Sequence, residues 1–165
     1  MNTKGFTFIE IILYISIVSI VLMALVPFAW NVIGGSVKSS AEQEVSSQAR
    51  FISEKIKYEI RNADSINSIA ATSISLDPPG TINDPTIIDL SGGKIRIKLG
   101  AAAIVDLNST DTNITSLTFT DFTSADNKTK NIQFIFTIDD NYGSSRQEYD
   151  VPAQTVEGSS ELRSN

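Results

Sequence analysis

Three patterns of apolar and polar positions divide the chain. Residues 6–30 read FTFIEIILYISIVSIVLMALVPFAW, an apolar block interrupted only by Thr7, Glu10, Ser16, Ser19 and Pro27. After Trp30 the apolar positions thin out to Val37, Ala41, Val45, Ala49, Ile52, Ile56, Ile60 and Ala63, in steps of three or four, with Lys38, Glu42, Glu44, Arg50, Glu54, Lys57 and Arg61 between them. That spacing predicts an amphipathic helix over 31–64 with one stripe turned to a soluble core. The alternative use of the stripe is packing against a partner helix. Gly34-Gly35 marks a candidate flexible point between the two helical halves. From residue 65 the period falls to two, and runs rich in Ile, Thr, Phe and Val alternate with turn residues. Strands are expected at 73–76, 86–90, 94–99, 104–107, 116–122, 132–138 and 148–151, with another at 154–156. Asp77-Pro78-Pro79-Gly80, Ser91-Gly92-Gly93 and the stretch from Asp139 to Gly143 punctuate them, and 116–138 reads as a hairpin over a polar loop at 125–130. The expected fold class is α+β: a long N-terminal helix laid against an antiparallel sheet.

The apolar block is long enough to leave water altogether. Its 25 residues give a helix of roughly 37 Å at ~1.5 Å per residue, against a bilayer hydrocarbon core of about 30 Å. A buried core helix of that length would show a polar side. A secretory signal peptide would be followed by a small-x-small cleavage site, and none is present around Val26 to Trp30. Lys4 is the only charge before the block, so the positive-inside rule leaves a short N-terminus in the cytoplasm and carries residues 31–165 across a single-pass span. Glu10 is the odd residue. An ionised carboxylate at the centre of a membrane helix costs about 2.5–3.5 kcal/mol on insertion scales, and such groups generally have a cationic partner. Lys4 lies six residues away, off the i, i+3 and i+4 spacings that face one another on a helix. Were Lys4 removed by cleavage, the partner would have to be a new N-terminal amine on another subunit; the alternative is that the carboxylate snorkels to the interface.

Composition narrows the chemistry. The 165 residues contain no Cys and no His, which excludes disulfides, thiol nucleophiles, thiolate or imidazole zinc sites and a Ser–His–Asp relay. A net charge of −6 opposes nonspecific nucleic-acid binding. No cofactor motif is present, and carboxylate pairs, the main acid–base option left, are not distinguished by any pattern, so the sequence does not read as an enzyme.

The hexad Gly5-Phe6-Thr7-Phe8-Ile9-Glu10, followed by a long apolar run with Pro27 placed 21 residues after Phe6, resembles the prepilin cleavage and methylation motif of bacterial type IV pilins and type II secretion pseudopilins. The resemblance implies that prepilin peptidase cuts after Gly5, removing a 1–5 leader, and N-methylates the new terminus at Phe6. It further implies that Glu10 pairs with the Phe6 amine of a neighbouring subunit, that 6–30 serves first as membrane anchor and then as filament core, kinked at Pro27, and that 65–165 is a β-rich globular domain. The implied partners are the peptidase, other pilin or pseudopilin subunits, membrane lipid before assembly, and an inner-membrane platform with its ATPase. Ser19 stands where many members carry Gly, and a serine that bonds back to the preceding turn bends a helix only mildly. The run from Gln48 to Ala63 is similar to the spine helix of minor pilins and J-type pseudopilins, and 146–163 to the ends of some minor pilin-like proteins.

Three further features have plain readings beside sharper ones. Lys94, Arg96 and Lys98 alternate on one strand, a solvated sheet face or a stripe for DNA or polysaccharide. The Asp139–Gly143 stretch offers oxygen ligands around a turn but lacks full calcium-loop spacing. Asn108, Asn113 and Asn127 begin glycosylation sequons. Two functions are carried forward: a filament subunit, first in an inner membrane and then in an extracellular or periplasmic fibre, and a monomeric membrane-anchored module binding a sugar, peptide or DNA.

Overall fold

A computed structural model describes residues 5–125, 129–143 and 151–163. Among the described residues one helix, α1 (Phe8–Asn62), is followed by eight strands: β1 (Ser65–Ala70), β2 (Ser73–Asp77), β3 (Thr86–Ser91), β4 (Lys94–Leu99), β5 (Val105–Asp106), β6 (Thr112–Asp121), β7 (Asn131–Asp140) and β8 (Gln154–Glu161). The α+β architecture is the expected one. The strands, however, form two antiparallel meanders rather than one sheet, in the orders β1-β2-β3-β4-β5 and β6-β7-β8. The sheets are joined where the Ile114 N–H donates to the Gly93 carbonyl at 2.9 Å and the Phe119 N–H to the Ala71 carbonyl at 3.0 Å.

The stripe of α1 forms one wall of the core. Ala41, Val45, Ala49, Ile52, Ile56 and Ile60 are buried, and Ala63 just past the helix is buried too. Val37 is only half-covered. Facing them are Ile74, Leu76, Ile88, Ile95 and Ile97 from the first sheet and Ile114, Leu117, Phe119, Ile132, Phe134, Phe136 and Ile138 from the second, in one contiguous cluster. Phe134 and Phe136 stack at 6.3 Å between centroids. Alternation along β7 produces this wall, because every second residue from Ile132 to Ile138 points inward.

Several expected boundaries move for identifiable reasons. β1 lay outside the expected strands because its two apolar residues, Ile66 and Ile69, are three apart. A bulge between Ile66 and Ser68 supplies the extra residue that brings both to the core side. β6 starts at Thr112 rather than 116 through the same device: a bulge between Ile114 and Ser116 puts Ile114 and Leu117 on one face. β8 runs on to Glu161, well past 156, although its sequence QTVEGSSE has almost no apolar signal. β7 supplies the pairing, and Gly158 lies opposite Phe134, where an added Cβ would sit 2.4 Å from the ring. β5 shrinks to Val105–Asp106 within the expected 104–107. The expected strand at 148–151 falls outside the described residues except for Val151, which is buried. Gly92 and Gly93, both at positive φ, make the two-residue turn between β3 and β4. Gly34-Gly35 does not interrupt α1, which continues through both and through Pro27.

Candidate functional site

The feature that the fold leaves unexplained is the first half of α1. No part of its apolar window is buried, and its hydropathy and length are sufficient to cross a membrane. The large apolar side chains from Phe6 to Ile33 stand exposed on every side of the helix, Phe8 and Met23 at nearly four-fifths of their surface. A helix apolar all round is stable in water only when covered by lipid or by other helices. The transition falls between Ile33 and Ala41, where the β domain begins to cover one side.

The serine hydroxyls inside this half-helix are satisfied by the chain itself. The hydroxyls of Ser16 and Ser19 donate to the carbonyls of Ile12 and Ile15, each at 2.7 Å, and Ser19 leaves α1 unbroken as its back-bonding geometry implies. Pro27, which lacks an N–H, leaves the carbonyl of Met23 without its intrahelical donor.

Glu10 sits in the first turn and closes a capping box with Thr7. The Thr7 N–H donates to Glu10 Oε2 at 3.0 Å, the Thr7 hydroxyl donates to the same oxygen at 2.9 Å, and the Glu10 N–H donates to Thr7 Oγ1 at 3.4 Å. Two N–H groups that the first helical turn cannot satisfy internally are thereby capped, and the negative charge lies at the positive end of the helix dipole. Reading Glu10 only against cations misses this role. Its signature, Thr7-x-x-Glu10, is present in the sequence. Phe6 is exposed, its ring meeting Tyr14 edge-on at 6.2 Å between centroids. Gly5 has open space around it. Lys4 lies outside the described residues.

The other candidates of the sequence have structural duties. Lys94 Nζ holds the carbonyls of Ser109 and Thr112, the latter at 3.1 Å. Arg96 forms a two-pronged pair with Asp89 across β3 and β4, at 2.9 and 2.7 Å, and that carboxylate raises the guanidinium pKa above its ordinary value. Of the stripe, Arg96 makes an ion pair among the described residues and Lys94 and Lys98 do not. In the Asp139–Gly143 stretch, Asp140 accepts from the N–H groups of Tyr142 and Val151 and Asp139 from that of Asp140. Those from Asp140 and Tyr142 are local turn bonds, and that from Val151 ties a later segment to the same carboxylate. Among the described residues no group of three or more carboxylates is placed to hold a metal. Asn108 is buried, its amide oxygen accepting from the Ile95 N–H at 3.0 Å and its NH2 donating to the Thr112 carbonyl at 3.0 Å. A glycan there would require this core contact to open. Asn127 lies outside the described residues.

What the arrangement offers is a surface: an apolar rod with a capped carboxylate at its tip, continuous through one helix with a folded β domain. Comparisons of the chain with protein-family models, with curated proteins and with solved structures give no match.

Proposed function

We propose that the chain is a structural subunit of a type IV pilus or of a type II secretion or competence pseudopilus, a minor pilin or pseudopilin. The observation that carries this reading is the uncovered apolar half of α1, joined without a break to a spine helix whose other half is packed into a β domain. Such a rod suits two environments in turn, the hydrocarbon of a membrane and a bundle of like helices, because helix–helix packing replaces lipid contacts at little cost.

The chemistry of the N-terminus follows from the hexad. Prepilin peptidase cuts between Gly5 and Phe6 and methylates the Phe6 amine, which then carries a positive charge at the head of the helix. Glu10 has its own cap before assembly, which keeps the carboxylate satisfied in the lone subunit. In the filament the Phe6 amine of an adjacent subunit supplies the countercharge that a carboxylate in low dielectric requires. The force that lifts the subunit out of the membrane comes from the assembly platform and its ATPase. The topology is a single pass through the inner membrane, N-terminus in the cytoplasm. The acidic β domain, on the outer side, does not bind nucleic acid directly.

Mass spectrometry of the N-terminus in membranes and in sheared fibres tests the reading. The expected mature chain begins at N-methylated Phe6. A chain that retains Met1 or Lys4 and never enters an ordered fibre overturns it and leaves a monomeric anchored binding module in its place.

A further inference from the structure

The last third of α1 presents a face that its own β domain does not cover. Arg50, Phe51, Tyr58 and Arg61 are exposed, and their spacing keeps them on one side of the helix. Phe51 and Tyr58 leave more than half of their surface in water. Three adjoining hollows run round this end of the helix, and Lys55, Tyr58, Arg61 and Arg163 each line two of them. The lysines here are neutralised: Lys55 Nζ pairs with Glu59 at 2.6 Å while lying over the Tyr58 ring, and Lys57 pairs with Glu54 at 3.0 Å. The arginines are not. Arg50, Arg61 and Arg163 form no ion pair among the described residues. Arginine and aromatic side chains held exposed together are the composition of a protein-binding surface, because each covers a large area with few degrees of freedom to lose.

The charge of the rest of the chain indicates what sits there. Residues 50–61 hold four Lys or Arg and two Asp or Glu, a net of +2, whereas residues 65–165 hold seven and 13, a net of −6. The imbalance is greatest in β6, β7 and β8, which contain Asp121, Asp139, Asp140, Glu157 and Glu161 and no Lys or Arg. Asp139 and Glu157 belong to the outward rows of this sheet, alternating with the buried residues of β7 and its partner strands. Glu161 borders the arginine hollow of its own copy without pairing there. The helix packs against β7 and β8 from the core side, so the outward acidic row is open to another molecule.

We propose that the Arg50–Phe51–Tyr58–Arg61–Arg163 face docks the outward face of β7–β8, which carries Asp139, Glu157 and Glu161, in a second copy of this chain. The two surfaces differ, so the contact is heterologous: each copy offers one donor face and one acceptor face, and repetition generates an open chain of subunits rather than a closed dimer. Opposite charge sets the register, and the aromatics supply the desolvated centre. As a contact inside a fibre the proposal rests on the filament reading above.

The absence of cysteine makes cross-linking the direct test. Two differently tagged full-length copies are co-expressed, one carrying Arg61→Cys and the other Glu157→Cys, and membranes and sheared fibres are oxidised. The expected result is a disulfide between the two tags, with none when both copies carry Arg61→Cys. In a second arm, Arg61→Glu in both copies lowers recovery of one tag with the other roughly tenfold, and adding Glu157→Arg to both copies restores it. A cross-link of position 61 to itself or to a different protein overturns the proposal, as does charge reversal without effect. Chains that begin at methylated Phe6 and sit in fibres without the 61–157 cross-link sink the docking face alone. The cross-link in chains that keep Lys4 supports the docking face and sinks the filament reading.

Discussion

Glu10 is the only charged side chain between Lys4 and Lys38, and two demands meet on it. In the isolated chain it caps α1 through Thr7; in a fibre it would face a neighbour's amine. Both follow from one property, the cost of an unpartnered carboxylate away from water. Replacing it with alanine makes membrane insertion easier and should leave cleavage at Gly5 intact, while entry into fibres falls. Recovery of Glu10→Ala from sheared fibres at the wild-type level would remove the pairing role. Asn108 poses the opposite case, a polar residue whose task is wholly internal. It bridges the start of β4 to the turn before β6 through the Ile95 N–H and the Thr112 carbonyl. Asn108→Ala leaves both groups without their partner, and the expected loss is about 2 kcal/mol or more. Thermal unfolding of the full chain in detergent checks this, and an unchanged midpoint would mean that water replaces the amide.

Among the elements, α1 is two helices by environment and one by geometry. Its upper stripe was legible because Ala41, Val45, Ala49, Ile52, Ile56 and Ile60 repeat at helical spacing. Gly34 and Gly35, which read as a flexible point, stay helical, since a glycine costs only about 1 kcal/mol in a helix interior and the turns on both sides are strong. Strands β3, β4 and β7 were legible from alternation. β1 and β6 hid their apolar residues behind bulges, and β8 hid behind polarity. The last strand is held by what it lies on: Gly158 makes room for Phe134, and no larger residue fits without moving the ring. Gly158→Ala should therefore cost about 1–3 kcal/mol, measurable by denaturant unfolding. An unaltered midpoint would show that the ring can step aside freely.

At the scale of the molecule, the uneven placement of apolar and charged surface matters more than any single site. A rod of exposed hydrocarbon cannot remain alone in water, because burial of apolar surface is worth roughly 25 cal/mol per Å2. Lipid or other helices must cover it. The β domain carries the negative charge and the end of the spine carries arginines unpaired among the described residues, so copies aligned by a common membrane would meet, under the docking proposal, with unlike faces together. The N-terminal mass and the 61–157 cross-link probe the two ends of the same helix. They are independent measurements, and agreement between them would tie processing at the tip to docking at the far end.

By itself the sequence determined the helix, its division into an apolar and an amphipathic half, the α+β class and the hexad from Gly5 to Glu10. Each is a local or periodic property, set by neighbours three or four residues away on a helix and two away on a strand. Tertiary structure alone decided the split into two sheets, the inclusion of β1 and most of β8, the burial of Asn108 and the internal partners of Lys94 and Arg96. It also decided which cations among the described residues remain unpaired. These depend on which distant segments come into contact, and bulges and glycine clearances carry no period for a sequence pattern to reveal.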